Sequence, residues 1–220
     1  MRSPNIADWP DVYERENAAI LADGRLLAAM RRQAPWAGRV LLDLDCGTGF
    51  WLPHYAADAG VGDRGRTRAC AAGARDAARG ACHRRRAGLE VLAGSAEHIP
   101  LPDASIDVVH PRFVYFFPPG GSAGLTEAMR VLRPGGTLVV VDNDLTWGDF
   151  ASLVRRSPRA AAQGGHRTTS RWWARHGAER VTVRGSWACA SAAELQAVLG
   201  IELPAELVDT WSPGILLPGA

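Results

Sequence analysis

The stretch that decides the fold is Leu42-Asp43-Leu44-Asp45-Cys46-Gly47-Thr48-Gly49. It completes an apolar run, Arg39 to Leu44, and leads into Phe50 to Ala57, which reads as a helix. An apolar run with a polar end that turns at once through two glycines predicts a buried strand, a tight loop and a helix. Glycine admits positive φ and lets the backbone approach a ligand closely. The first N–H groups of the helix that follows have no intrahelical partner. In a doubly wound sheet, ligands bind at the carboxyl ends of the strands, so this loop is the candidate site. A glycine pattern alone is weak evidence, and the flanking sequence has to supply the context.

Upstream, residues 8–34 read as helix, with Asp8 as cap, Pro10 in the first turn and a break at Gly24. Tyr13, Ile20, Leu21, Leu26, Leu27 and Met30 form its apolar stripe. Downstream, Leu89 to Ala93 and Ile106 to His110 are candidate strands, the second entered through the turn-rich Pro100 to Ser105. Leu125 to Leu132 reads as a helix stopped by Arg133-Pro134-Gly135-Gly136. Thr137 to Val141, β-branched and apolar, predicts a buried strand ending on Asp142-Asn143-Asp144. Strands alternating with helices imply an α/β fold, a mainly parallel sheet with right-handed crossovers.

Beyond residue 145 the pattern is thinner. Trp147 to Arg156 reads as helix and the alternating Glu179 to Val183 as a strand. Ser191 to Leu199 reads as a helix with a capping box formed by Ser191 and Glu194. Trp211 to Ala220 has no regular pattern. The expected organisation is one domain over 1–220: a helical cap at 1–36, a binding core at 37–145, and lid and C-terminal elements at 146–220.

The chain has 220 residues, 47% of them hydrophobic, enough for one sizeable core. Its net charge of +2 exerts no global pull on nucleic acid. No apolar run approaches the roughly 18 residues of a membrane span, and the first residues lack the apolar centre of a signal peptide. Cys46, Cys70, Cys82 and Cys189 show no paired spacing and read as reduced thiols of a cytoplasmic protein. Cys70, Cys82 and His83 match no zinc motif, so no metal is expected. All 25 basic residues are arginine, which suggests a GC-rich gene.

The glycine loop is followed, in order, by Gly94 to Val109 (GSAEHIPLPDASIDVV) and Glu127 to Asp142 (EAMRVLRPGGTLVVVD). This ordered set closely resembles the class I S-adenosylmethionine-dependent methyltransferases, over residues 38–60 and 89–150. The resemblance implies a Rossmann-like fold whose C-terminal sheet edge is incomplete in this chain. It implies S-adenosylmethionine as cofactor and a small-molecule methyl acceptor. Asp43, Asp45, Cys46, Gly47, Thr48 and Gly49 would surround the methionine part. Ser95, Ala96 and Glu97 would lie beside the adenine. His110, Arg112 and Phe113 would line the junction with the acceptor. Phe113, Tyr115, Phe116 and Phe117 could equally be core. If the nucleophile is a hydroxyl, His110 is the candidate base, although a lone histidine is more often structural. Trp9, Tyr13, Trp147 and Phe150 are candidate lid aromatics.

The alternatives are a catalytically degenerate relative that binds the cofactor weakly or not at all, and an RNA or DNA methyltransferase. His110-Pro111-Arg112-Phe113 stands where a nucleobase-methylating tetrapeptide would be, which lowers the nucleic-acid reading. The acceptor, the atom methylated and the oligomeric state are not encoded legibly.

Two departures from the family stand out. Asp45 replaces the first glycine of D-L-G-C-G-T-G. If the position needs positive φ, Asp is tolerated at a cost, but its charge could also attract the cofactor's ammonium. The second departure is the missing ribose-binding acid, which by spacing falls near Arg66. From Gly62 to Gly88 there is no Val, Leu, Ile, Phe or Met, and residues 64–87 hold eight Arg against one Asp. Three readings fit: a basic nucleic-acid segment, an Ala-rich helix with solvated arginines, or a stretch translated out of frame. Asp58 and Asp63 are fallback ribose partners. A central parallel strand needs apolar side chains on both faces, so 62–88 is expected not to form a well-packed second strand. Backbone pairing could still draw in a short stretch such as Asp63 to Arg68.

Overall fold

The computed structural model describes residues 4–59, 66–71, 89–113, 121–156 and 165–208. In chain order its elements are α1 (Pro4–Asp8), α2 (Pro10–Leu21), α3 (Arg25–Gln33), β1 (Val40–Leu44), α4 (Leu52–Ala59), β2 (Arg66–Ala71) and β3 (Leu89–Ala93). They continue with β4 (Ile106–Pro111), α5 (Ser122–Val131), β5 (Leu132–Leu138), α6 (Asp149–Arg156), α7 (Gly165–Arg175), α8 (Ala192–Glu202) and α9 (Ala205–Val208). The chain divides into two compact units, one carrying Ala29–Asp142 and the other Pro4–Ala28 and Asn143–Ala220.

The first unit is built on a five-stranded sheet in the order β3-β2-β1-β4-β5. Every pairing in it is parallel. β1 is central, held by β2 on one side and β4 on the other. Leu41, Leu42, Leu44, Ile106, Val108 and Val109 are buried, as a strand covered on both faces requires. Each such side chain contributes about 1.5–3 kcal/mol by leaving water. Asp107 ties three strands at their entry ends. Its Oδ2 accepts from the Val40 N–H (2.8 Å) and its Oδ1 from Arg133 Nη1 (2.7 Å). On α5, Arg130 donates to the Ile99 and Leu101 carbonyls, each at 2.9 Å, and to Asp103 at 2.7 Å. Glu127 orients that guanidinium and accepts the Ile99 N–H at 2.9 Å. The motif EAMR thereby shapes the loop that follows β3.

Thr137 and Leu138 pair with Val108 and Val109. Backbone bonds from Val139 to Val109 (2.9 Å) and from Val141 to Pro111 (3.1 Å) carry the contact on to Val141. The Thr137 to Val141 stretch therefore shares one parallel sheet with the strand that precedes the glycine loop. Its burial is shallower than its composition predicts. Residues 137–141 are only partly buried, because β5 is an edge strand.

Three local expectations need correction, and a fourth, on the arginine-rich segment, is made specific. β5 begins at Leu132, so Arg133-Pro134-Gly135-Gly136 lies inside the strand rather than before it. A register shift between Ile106 and Val108 absorbs the extra residues as a bulge, which accommodates Pro134 at an edge. Glu179 to Val183 is irregular and Val181 is 53% exposed. Among the described residues its alternation meets no partner strand, and without a ladder a strand has nothing to hold it. Asp8 closes α1 instead of capping α2, which starts at Pro10 after Trp9 with no side-chain cap bond. Residues 66–71 of the arginine-rich segment do form β2, paired with β1 and with β3. Main-chain hydrogen bonds do not depend on side-chain identity, so pairing prevails where apolar composition is missing. Residues 60–65 and 72–88, with Asp63, Cys82 and His83, lie outside the described residues.

In the second unit, Leu195, Leu199, Leu203, Leu207 and Val208 cluster, with Phe150, Leu153, Val154, Trp187 and Cys189 packed against them. The capping box is present: Ser191 Oγ accepts the Glu194 N–H at 3.1 Å, and the Glu194 carboxylate accepts the Ala190 N–H. Gly24, at φ +67°, makes the turn between α2 and α3. Trp9 and Trp147 are exposed, and Arg184 sits 4.6 Å over the Trp147 ring.

Candidate functional site

Leaving β1, the chain takes three left-handed residues in five. Asp45 has φ +62°, Gly47 +57° and Gly49 +86°. The Gly49 N–H donates to the Cys46 carbonyl (2.9 Å) and the Leu52 N–H to the Gly49 carbonyl (3.1 Å), which closes the loop onto α4. A Cβ on Gly49 would stand 3.3 Å from Leu52 Cδ1, so the position suits glycine both sterically and conformationally. Asp45 occupies a conformation that a Cβ disfavours, as anticipated for a residue standing in a glycine's place.

Beneath the loop lies a buried ionic cluster. Asp43 is fully buried on β1 and is the register partner of His110 on β4. Arg112, just past β4 and 5% exposed, donates from Nη2 to both Asp43 carboxylate oxygens, at 3.0 and 3.2 Å. Its Nε donates to the Tyr55 hydroxyl at 2.9 Å, and its guanidinium lies 4.6 Å over the Trp51 ring. Burial pushes the Asp43 carboxyl upward, and Arg112 pulls against it. The Tyr55 hydroxyl is also pushed upward, by burial first. Sequence reading placed Asp43 and Arg112 in different parts of the site. It gave Tyr55 and Trp51 no role, because aromatic residues on a helix ordinarily read as core.

His110 is fully buried, and neither ring nitrogen has a partner among the described residues. Its pKa is pushed down to about 3, by burial first and then by the Arg112 charge. The imidazole is therefore neutral, which weighs against strong basicity. The Thr48 hydroxyl is likewise buried without a partner among the described residues. Unsatisfied buried polar atoms are rare and call for a ligand or an ordered water.

After β3, Ser95 and His98 exchange backbone hydrogen bonds at 3.2 and 3.1 Å in a tight turn that buries Ala96 and exposes Glu97. Phe113 is part-buried at φ +54°, and its N–H donates to the Val141 carbonyl at 2.8 Å. Tyr115, Phe116 and Phe117 lie outside the described residues. Cys46 is buried.

The methionine end of S-adenosylmethionine fits these residues: a glycine turn that brings backbone close, two carboxylates, and orphaned polar atoms at Thr48 and His110. The described residues of β2, Arg66–Ala71, include no acid for the ribose end. Leu44 is level with Cys70, so the carboxyl end of β2 is Ala71 and not Arg66 as spacing suggested. Asp58, a fallback partner, is held by Arg31 at 2.7 Å.

A parallel sheet with a glycine loop at the carboxyl edge of its central strand defines a Rossmann-like α/β protein. The family model described as "Methyltransferase domain" matches residues 42–140. The chain is 35% identical over 137 residues to the malonyl-[acyl-carrier protein] O-methyltransferase of Serratia marcescens, covering 62% of this chain and 49% of that protein. It is 41% identical over 71 residues to the demethylmenaquinone methyltransferase of Beutenbergia cavernae, covering 32% of this chain and 30% of that one. The chain thus spans half or less of the length of the curated relatives it matches. Among solved structures, an S-adenosylmethionine-dependent methyltransferase of Thermotoga maritima superposes with a TM-score of 0.56 at 21% identity, covering 81% of this chain and 80% of that one; this likeness bears on the fold. Residues 42–140 thus match a methyltransferase domain, and the fold is that of the class I S-adenosylmethionine-dependent methyltransferases.

Proposed function

We propose that this protein binds S-adenosylmethionine at residues 43–49 and transfers its methyl group to a small-molecule acceptor. The observation that carries the reading is the loop itself. Asp45, Gly47 and Gly49 are left-handed at the carboxyl end of the central strand, and the loop's Thr48 hydroxyl is buried without a partner among the described residues. The names of the curated relatives, which act on an acyl-carrier-bound malonyl group and on demethylmenaquinone, support an organic acceptor.

The sulfonium supplies the activated methyl group when bound. The chain's own residues supply proximity, alignment and exclusion of water. The loop backbone and Asp43 would hold the methionine part, and Ser95, Ala96 and Glu97 would flank the adenine. Arg112 and Phe113 would border the acceptor. His110, the expected base, is better suited to accept or donate a hydrogen bond as a neutral ring. A pKa near 3 leaves it a poor proton acceptor.

Calorimetric titration with S-adenosylmethionine and S-adenosylhomocysteine tests the proposal. Saturable binding is expected, lost by more than tenfold in Gly47→Val, whose side chain would enter the space the ligand needs. A folded protein that binds neither compound would overturn it.

A further inference from the structure

We propose that the exposed arginines Arg171, Arg175 and Arg184, together with Trp147, form a docking surface for an acidic helix of a partner protein. All four residues belong to the second unit, and the proposal is independent of the cofactor reading.

From Arg167 to Arg184 the sequence holds five arginines against one acid, Glu179. Arg171 and Arg175 are exposed on α7, one turn apart, which is about 6 Å along the axis. Neither has an ion pair or a hydrogen bond among the described residues. The chain turns just beyond them, with Gly177 at φ +72° and the Ala178 N–H donating to the Trp173 carbonyl at 3.1 Å. The stretch that follows is tied down by side chains. Arg180 is held by Asp144 at 2.6 Å, and the Arg184 guanidinium lies 4.6 Å over the ring of Trp147, which is 61% exposed. A guanidinium fixed in this way has less rotamer freedom to lose when a partner arrives.

The chemistry of these groups selects the occupant. A guanidinium is a planar fork that meets a carboxylate with two parallel hydrogen bonds. Two of them one turn apart match carboxylates spaced i, i+4 along a facing helix. Arginine and tryptophan are also the residues enriched at the energetic centres of protein interfaces. Two other anionic partners fit less well. A single nucleic-acid strand stacks its bases on open aromatic faces. Here Arg184 covers one face of Trp147, while Trp172 packs on His176 at 4.3 Å and meets Trp173 at 4.7 Å. A helix lying in a membrane surface needs an extended apolar face. In α7 the two tryptophans stand among Thr169, Ser170 and Ala174, with arginines on either side.

The test is fluorescence polarisation on the full chain, with a labelled alanine-based helical peptide carrying glutamates at i, i+4 and i+8 as the probe. Binding is expected at low ionic strength and should weaken by more than about tenfold as salt rises from about 0.05 to about 0.5 M. The double variant Arg171→Glu/Arg175→Glu should weaken it by about tenfold to a hundredfold, since attraction becomes repulsion. Trp147→Ala should weaken it by about threefold to tenfold. These positions are exposed or half-exposed, so unfolding temperatures should stay within about 2 °C of the wild type. The charge-matched double variant Arg15→Glu/Arg32→Glu, at exposed positions elsewhere in the chain, should bind the peptide as the wild type does. No binding of the peptide, or equal loss in the two double variants, overturns the proposal. Tighter binding of single-stranded RNA or of phosphatidylglycerol vesicles than of the acidic helix overturns the choice of partner.

Discussion

Arg112 and Asp43, 69 residues apart in sequence, form a buried ion pair at 3.0 and 3.2 Å directly under the glycine loop. Removing one partner leaves the other charged and buried. Arg112→Ala should therefore destabilise the protein by about 3–5 kcal/mol, and Asp43→Ala by a similar amount. Urea unfolding of both single variants and the double variant measures the coupling. The double variant should lose less than the sum of the singles. Strict additivity would show that the pair is not energetically coupled.

The Gly135-Gly136 step inside β5 offers a matched pair. A Cβ on Gly136 would lie 2.9 Å from the Arg133 carbonyl oxygen and 3.0 Å from that of Asp107. Gly135 has open space around it but φ +79°. Gly135→Ala should cost about 1–2 kcal/mol, the left-handed penalty alone. Gly136→Ala should cost more, about 1–3 kcal/mol for the overlap plus displacement of the backbone. Thermal unfolding of the two variants ranks them, and a harmless Gly136→Ala would contradict the packing described.

In the second unit Glu16 is 7% exposed on α2, and its Oε2 has no hydrogen-bond partner among the described residues. Glu202 lies close enough to repel it, and Asn5 donates to Glu202. Burial first, and Glu202 second, raise the Glu16 pKa to about 8. Between about pH 4.5 and 8 the folded form holds a proton that the unfolded form has released. Stability contributed by this group is thus full below the unfolded pKa and declines as pH rises, by at most about 1.4 kcal/mol per pH unit. Glu16→Gln should flatten that slope and stabilise the protein at pH 8. Parallel stability–pH curves for the two proteins would refute the assignment.

Asp107 has the opposite sign. Its burial raises the carboxyl, but the Val40 N–H and Arg133 outweigh burial and hold its pKa below the usual range. Its contribution is present above the unfolded value, about 3.9, and disappears as pH falls through the lower folded value. Asp107→Asn should cost about 1–2 kcal/mol at pH 7, given two hydrogen bonds weakened at a part-exposed site. The difference between variant and wild type should vanish once the pH has fallen below the lowered folded value. A difference that persisted there would point to packing rather than charge.

Much of the first unit was legible because local patterns and global fold agree there. The apolar run into Gly47 and Gly49, the Ile106 strand and the EAMRVLRPGG block each pointed to a doubly wound sheet, and the sheet has that order. Burial periodicity and turn chemistry are local properties, so residues such as Leu41, Val108 and Ser191 declare themselves from neighbours in sequence. The positive φ of Asp45 was legible for the same reason, since it occupies a turn position built for glycine.

What the tertiary structure alone decided lies in contacts between distant residues. The Arg112–Asp43 pair, the recruitment of Tyr55 and Trp51, and the neutrality of His110 depend on strands and a helix meeting in space. The strand at Arg66 to Ala71 is the clearest case. Its side chains argue against a central position, yet its backbone pairs with β1 and β3, because peptide groups bond alike whatever they carry. The converse holds at Glu179 to Val183, where the alternation is present in sequence and no strand among the described residues turns it into a ladder. A strand is a relation between segments, so composition can propose it and only pairing can make it.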